Sequence, residues 1–185
     1  FGFRSLQTKL ASSASPKGAS SYQIQSILLS TRVPSAQSPA HAVLQDVFGY
    51  EQFRGPQQAI VEHVIGGGDA LVLMPTGGGK SLCYQVPAIV RQQQGRGVTI
   101  VISPLISLMK DQVGTLNQMG VHAAFLNSSL TAGQYYKALQ LAKQGRYKII
   151  YVAPERLETE SFLDFALSEH VKISFVAVDE AHCVS

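Results

Sequence analysis

Two short stretches of this chain combine the residue types that chemistry on phosphate requires. The first, Thr76-Gly77-Gly78-Gly79-Lys80-Ser81, follows the apolar run Ala70–Met74 and opens a helical stretch. Glycines let a backbone wrap tightly and aim successive N–H groups at oxygen atoms, and the start of a helix adds positive potential at the same point. In that setting Lys80 would bridge the β- and γ-phosphates of a nucleotide, and the Ser81 hydroxyl would ligate Mg2+. The generic pattern for such a loop asks for glycine where this chain has Met74, so only its second half, Gly-Lys-Ser, is met. The second stretch is Asp179-Glu180-Ala181-His182, into which the apolar run Phe175–Val178 leads directly. Asp179 would hold Mg2+ opposite Ser81, and Glu180 would orient and deprotonate an attacking water. Taken singly, each stretch has a plain alternative: an incidental lysine in a glycine-rich loop, or a solvated acidic turn after an edge strand. Taken together they describe an ATPase half-site with Lys80, Asp179 and Glu180 as its catalytic candidates.

Such residues need a frame that holds them to fractions of an ångström. Five short apolar runs are the candidate strands: Ala70–Met74, Val98–Ile102, Ala123–Leu126, Lys148–Val152 and Phe175–Val178. Between them lie helical stretches over Lys80–Gln92, Leu105–Met119, Thr131–Gln144 and Glu155–Leu167, with Phe162, Phe165 and Leu167 expected in the core. Ahead of them, Ala42–Phe48 puts Leu44, Val47 and Phe48 on one helical face. Pro56 suits the first turn of a helix carrying Ile60, Val61, Val64 and Ile65, which Gly66–Gly68 ends. Runs apolar on both faces and separated by helices indicate βαβ units. The predicted fold is α/β, an open, doubly wound parallel sheet with helices on both faces.

The chain has 185 residues, 45% hydrophobic and 15% charged, which is one domain, or one plus an appendage. Its apolar runs are too short to span a bilayer. Two cysteines, Cys83 and Cys183, cannot build a disulfide framework, lack CxxC or CxxH spacing for a metal, and suit a reducing compartment as small buried residues. His41, His63, His122 and His170 read as structural or exposed. The formal charge of +3 is unevenly spread: residues 1–40 hold Arg4, Lys9, Lys17 and Arg32 with no acid, whereas 41–185 hold 11 Lys+Arg against 12 Asp+Glu. The high isoelectric point therefore belongs to the leading segment and is no sign of a basic nucleic-acid-binding face. With ten serines and Pro16, Pro34 and Pro39, residues 1–40 read as a low-complexity, disordered basic tail. An organellar transit peptide shares that composition and is the weaker reading. The folded domain is expected over 41–185.

Five separated stretches resemble the RecQ-type DNA helicases of superfamily two: FGYEQFRGPQ at 48–57, MPTGGGKSLCYQVPA at 74–88, SPLISLMKDQV at 103–113, YVAPERL at 151–157 and AVDEAHCVS at 177–185. Met74 is what that family's loop carries; Gly55-Pro56 departs from it, since the family has the two in the opposite order. The resemblance implies the first RecA-like, P-loop NTPase domain of such an enzyme, with ATP and Mg2+ as cofactors. It implies adenine recognition by Tyr50, Arg54 and Gln57, and an amide can indeed pair with adenine N6 and N7 while an aromatic or guanidinium plane stacks on the base. Read without the resemblance, Tyr50 and Phe53 would be core packing and Arg54 a surface charge. It also implies contacts to the DNA backbone by Ser103, Ser107, Lys110, Arg156 and, more weakly, Asn127 with Ser128. A solvated helix face is the plain alternative for Lys110 and Arg156. His182 is implied to link the nucleotide to the DNA site.

The partners implied are single-stranded and duplex DNA, with 3′-to-5′ translocation in recombination and repair. The compartment is the cytoplasm, at the nucleoid, in a bacterium, with nucleus and organelle left open. The family places an aromatic-rich loop and a second RecA-like domain, with its arginine fingers, beyond His182. A chain ending at Ser185 is thus expected to be incomplete at that end, to bind MgATP weakly and to turn over poorly. A nucleotide-dependent binding module without turnover and an RNA-directed DEAH-type helicase are the alternatives left open.

Overall fold

Val98–Ile102 reads Val-Thr-Ile-Val-Ile, β-branched at every position, and forms strand β1, buried at all five residues. The computed structural model describes residues 38–75 and 77–181. The expectations placed on Thr76, His182, Cys183 and the tail as far as residue 37 lie outside the described residues. Ala123–Leu126 forms β2, Ile149–Val152 forms β3 and Ile173–Val178 forms β4. The four strands make one parallel sheet in the order β2-β3-β1-β4. Six helices accompany them among the described residues: α1 Pro39–Asp46, α2 Gln57–Ile65, α3 Leu82–Gln93, α4 Ile106–Gln118, α5 Ala132–Lys143 and α6 Glu160–Ala166.

Side chains alternate across a strand, so each strand feeds two cores. Val101, Ile149, Tyr151 and Ala123 face α1 through α4 and pack with Leu44, Val61, Ile89, Met109 and Leu116. Val98, Ile100, Ile102, Ile150, Val152 and Leu126 face the other way, onto Leu139, Phe162 and Phe165 of α5 and α6. The predicted α/β architecture with helices on both faces is the one observed. Arg91, in the last turn of α3, fastens β4 to this frame. Its guanidinium donates to Ser174 Oγ at 2.9 Å, to the Ser174 carbonyl at 3.1 Å and to the Val64 carbonyl at 2.8 Å, and lies 5.6 Å from the Phe175 ring centre. Ser174 falls where the β1–β4 register slips by one residue, a bulge that leaves backbone groups to be satisfied by a side chain.

Four expectations are corrected. Ala70–Met74 is not a strand: it joins no ladder, and Leu71 and Leu73 are 74% and 88% exposed. An apolar run becomes a strand only where a neighbour takes its N–H and C=O groups. The first helix starts at Pro39 rather than Ala42, because a proline fits the first helical position and Ser38 caps the helix, accepting from the His41 N–H at 3.3 Å. The stretch 155–167 divides into a 3-10 turn, Pro154–Arg156, and α6, with extended Thr159 between them. Leu167 lies past the end of α6 and is 37% exposed, while Phe162 and Phe165 are enclosed as expected.

The β1 side chain Thr99 carries a flaw. It is fully buried, and its hydroxyl has no hydrogen-bond partner, an arrangement that costs about 1–3 kcal/mol. Thr99→Val, which replaces the hydroxyl by a methyl of similar shape, is expected to raise the unfolding free energy in urea by ~1 kcal/mol; a loss of stability would mean that the hydroxyl is bonded after all.

Candidate nucleotide site

In a parallel sheet every strand delivers its carboxyl end to one edge, where ligands of open α/β sheets bind. Here the ends are level. Leu126 pairs with Val152, Val152 with Ile102 and Ile102 with Val178. The next residues, Asn127, Ala153, Ser103 and Asp179, therefore form a row along the edge. The row is closed by hydrogen bonds from Ala153 N to Leu126 O at 3.0 Å, Ser103 N to Val152 O at 3.1 Å and Asp179 N to Ile102 O at 2.8 Å. The glycine loop meets the same edge: Lys80 Nζ lies 3.3 Å from Glu180 Oε1, joining residues 100 apart in sequence.

Within the loop, Gly77 and Gly79 take positive φ values of 80° and 77°, alternating with Gly78. Alternation of this kind turns successive N–H groups toward one concavity, which suits an anion. At Gly79 the positive φ disfavours any side chain, and a Cβ there would also meet the Gln57 amide nitrogen, which would have to shift. Gln57 is 2% exposed, and both ends of its amide are engaged. Its carbonyl accepts from the Arg54 N–H at 2.8 Å, and its nitrogen donates to the Gly79 carbonyl at 3.1 Å and the Gly78 carbonyl at 3.4 Å. Gln57 thus braces the phosphate loop from beneath, whereas Tyr50 and Arg54, read with it as adenine contacts, are exposed. Below the loop the Cys83 thiol approaches Met74 Sδ at 3.9 Å, and burial pushes that thiol up to about 11. Ser81 starts α3 without using its hydroxyl as a cap. Magnesium takes one or two protein ligands alongside phosphate and water, and the half-buried Asp179 with the Ser81 hydroxyl fits that requirement.

Burial, and then the charge of Glu180, raise the Asp179 carboxyl above its ordinary range; the Glu180 N–H, which donates to Asp179 Oδ1 at 3.1 Å, Lys80 and the Tyr84 hydroxyl pull the other way. Glu180 has a φ of +50°, the left-handed region that side chains other than glycine rarely enter. Residues that lie in the quoted stretches but received no role there stand near the acids: Tyr84 and Gln85 of α3, Tyr151 of β3 and Gln112 of α4. Gln85 donates from Nε2 to Gln112 Oε1 at 2.7 Å and to the Tyr151 hydroxyl at 2.9 Å. The signal available in sequence was an amide, Gln85, directly ahead of the apolar run Val86–Val90.

The residues expected to touch a nucleic-acid strand divide into two groups. Ser107 and Lys110, three apart on α4, are exposed. Ser103 and Asn127 are enclosed. The Ser103 hydroxyl accepts from the Leu105 N–H at 3.5 Å. Asn127 Oδ1 accepts from the N–H and hydroxyl of Ser129, at 3.0 and 2.7 Å, and its amide points at Met109 Sδ, 3.6 Å away. Their side chains fasten loops, so a strand would meet backbone at these two positions. Arg156 turns inward too, lying 5.1 Å from the Tyr135 ring centre and donating to the Asn127 carbonyl at 3.4 Å.

A glycine loop and an Asp-Glu pair meeting at the carboxyl edge of a parallel sheet define a P-loop nucleotide-binding domain. Residues 54–185 match the model of the DEAD/DEAH box helicase family, and the chain belongs to that family. It is similar to the ATP-dependent DNA helicase RecQ of Haemophilus influenzae, 49% identical over 146 residues that cover 79% of this chain and 23% of that protein. It is also similar to the ATP-dependent DNA helicase RecQ of Bacillus subtilis, 44% identical over 147 residues, covering 79% and 24%. The ATP-dependent helicase SGS1 of Saccharomyces cerevisiae is 43% identical over 145 residues, covering 77% and 10%. The chain spans about a quarter of the length of these bacterial relatives, and its RecQ-type character is plain across that span. No helix among the described residues is long and apolar enough to cross a membrane.

The raised Asp179 carboxyl makes a prediction about stability. A carboxyl raised on folding favours the fold below its unfolded-state value and opposes it as pH climbs through the folded one. At neutral pH without metal or nucleotide, Asp179→Asn is therefore expected to stabilise the protein by ~0.5–1 kcal/mol and to remove any further gain in melting temperature from Mg2+ with nucleotide. Destabilisation by Asn would contradict that account of the site.

Proposed function

We propose that this chain is the ATP-binding half of a 3′-to-5′ DNA helicase that couples Mg-ATP hydrolysis to movement along single-stranded DNA and to duplex unwinding in recombination and repair. The observation that carries the proposal is the contact of Lys80 with Glu180, which brings the end of the glycine loop to the paired acids. In the working site Lys80 leaves Glu180 for the β- and γ-phosphates, and the N–H groups of residues 76–79 line the same anion. Ser81 and Asp179 would hold Mg2+, which would supply neutralisation of the charge that grows on the transferred phosphoryl group. Glu180, released from Lys80, orients the attacking water and takes its proton. Tyr50 and Arg54 face the base from the 50–57 loop, and Gln57 joins base and phosphate loop. Ser107 and Lys110 hold the sugar–phosphate backbone on the exposed face of α4, with backbone groups at residues 103, 127 and 153 beside them; His182 passes nucleotide state to that face. A second RecA-like domain completes the site in the whole protein, which works where the chromosomal DNA lies.

The roles separate by mutation in the full-length protein. Lys80→Ala is expected to weaken nucleotide binding about 100-fold, as for loss of strong charge-assisted bonds. Glu180→Gln should keep binding and lower hydrolysis by about 10²–10⁴. Retained hydrolysis in Glu180→Gln would dismiss it as the base, and a preference for unwinding duplex RNA over 3′-tailed DNA would move the enzyme to the RNA-directed class.

Gln57→Ala is expected to weaken ATP and GTP together, through the loosened loop, and ATP further, so that the preference for ATP shrinks. An equal loss for both nucleotides, measured by competition against a fluorescent analogue, would leave Gln57 as a loop brace alone.

A further inference from the structure

The edge of the sheet opposite the acids has no part in the roles above. The even charge balance of residues 41–185 conceals an uneven placement, because Lys143, Arg146, Lys148 and Lys172 all lie just ahead of β3 or β4. Parallel strands begin at one edge. Hydrogen bonds from Val98 N to Lys172 O at 2.9 Å, Thr99 N to Lys148 O at 3.0 Å and Lys148 N to His122 O at 2.8 Å set these segments side by side there. Lys143, Arg146, His170 and Lys172 are exposed and Lys148 is half-buried. Residues 91–98 and 142–148 contain no acid, and residues 168–172 contain Glu169 alone. Among the described residues the one ion pair is that of Lys80 with Glu180, so these four cations have no carboxylate partner there. A plain role exists for Lys143, which stands in the last turn of α5 and offsets the negative end of that helix. That effect falls off within a turn, so it does not account for Arg146, Lys148 or Lys172.

Between these segments opens a cavity of about 240 Å³, whose wall includes Gln92, Lys143, Gly145, Tyr147, His170 and Lys172 and no acid. Lysine is depleted at the centres of protein–protein contacts, which aromatic and apolar side chains fill. Here cations and an amide surround one half-buried ring, Tyr147. Cations beside an aromatic face are what a single nucleic-acid strand uses: charge tracks the phosphates and a ring takes the face of a base. We infer that this edge holds a stretch of single strand, with Lys143 and Lys172 on phosphates, Arg146 and Lys148 beside them, and Tyr147 against a base. β1, five residues long, sets the edge about 16 Å from the row that carries the acids. The contact is therefore additional to any at Ser107 and Lys110, which lie near the start of α4, and it stands or falls apart from the nucleotide site.

The test uses the full-length protein and a fluorescein-labelled oligothymidine, without nucleotide, at several NaCl concentrations. Lys143→Gln combined with Lys172→Gln is expected to lower the slope of log affinity against log salt by about 1.4, at about 0.7 for each phosphate released. Lys137→Gln, exposed in the middle of α5, should leave the slope unchanged. Tyr147→Leu keeps an apolar side chain but removes the ring, and is expected to weaken strand binding about 5-fold or more at every salt concentration with the slope unmoved. Binding of a fluorescent ATP analogue with Mg2+ should be the same in all of these variants. An unmoved slope in the double variant would overturn the site. Equal losses for a blunt duplex and for the strand, with no effect of Tyr147→Leu, would overturn the single-strand assignment. Polyglutamate that displaces the oligonucleotide from the unaltered protein but not from the double variant would give the edge to an acidic protein instead. Should the double variant fail to fold through the loss of Lys143, Lys172→Gln alone, outside any helix, decides the matter with an expected slope change of about 0.7.

Discussion

A parallel strand covered on both faces can satisfy its backbone only through other strands, and β1 carries that constraint for the whole molecule. Val98–Ile102 is buried at every residue and lies between β3 and β4, so none of its peptide groups can turn to water. Its partners are held in register, and the register levels the carboxyl ends of all four strands. The edge that carries the candidate site follows from that levelling. Asp179 and Glu180 are delivered by one end of the sheet order, Asn127 by the other, and the glycine loop arrives from α3, which packs on the same sheet. The residues need no local device to find each other; they need strands of matched ends.

At that edge the local forces are deliberately unequal. Asp179 is partly desolvated beside Glu180, and Lys80, the backbone N–H of Glu180 and the Tyr84 hydroxyl restrain the two carboxylates. Like charges this close stay ionised only if cations or donors face them. Glu180 also stands in the left-handed backbone region, a conformation that costs of order 1–3 kcal/mol and persists only where the surroundings enforce it. The paired acids are thus held short of their own electrostatic optimum.

How much of this was legible in the chain follows from which forces act locally. Val98–Ile102 and Ala123–Leu126 were read at their observed limits because strands buried on both faces have unbroken apolar composition and sharp turn residues around them. The glycine loop and the acids were legible because phosphate and metal chemistry restricts residue choice. Ala70–Met74 has the same apolar composition, but a ladder requires a neighbour, and no count of apolar residues supplies one. Pro39 could break or begin a helix, and only Ser38 in front of it decides. Gln57 was read as a base contact from its type and place, and that its buried amide also grips Gly78 and Gly79 is a contact no spacing announces. Ser103 and Asn127 likewise had the right chemistry for phosphate but lie at the one row of the edge where loops are fastened. Gln85, Gln112 and Tyr151 lie in the quoted stretches 74–88, 103–113 and 151–157, but that one amide nitrogen joins them across three elements is not legible in their spacing.

The fastening of β4 by Arg91 has a mechanical meaning. Among the described residues β4 is one of the two edge strands of the sheet, and it leads straight into the acids. A tug along its axis, such as a moving neighbour at residue 181 would exert, loads the β1–β4 hydrogen bonds in shear, all at once. A tug across the sheet would peel them one by one. Arg91 grips Ser174 near the other end of the strand and anchors that grip to the Val64 carbonyl of α2. Peeling started at the far end therefore meets a rivet, and tension applied at the acids is handed to α2 and α3 rather than dissipated in the strand. The edge strand is built as a tie-rod.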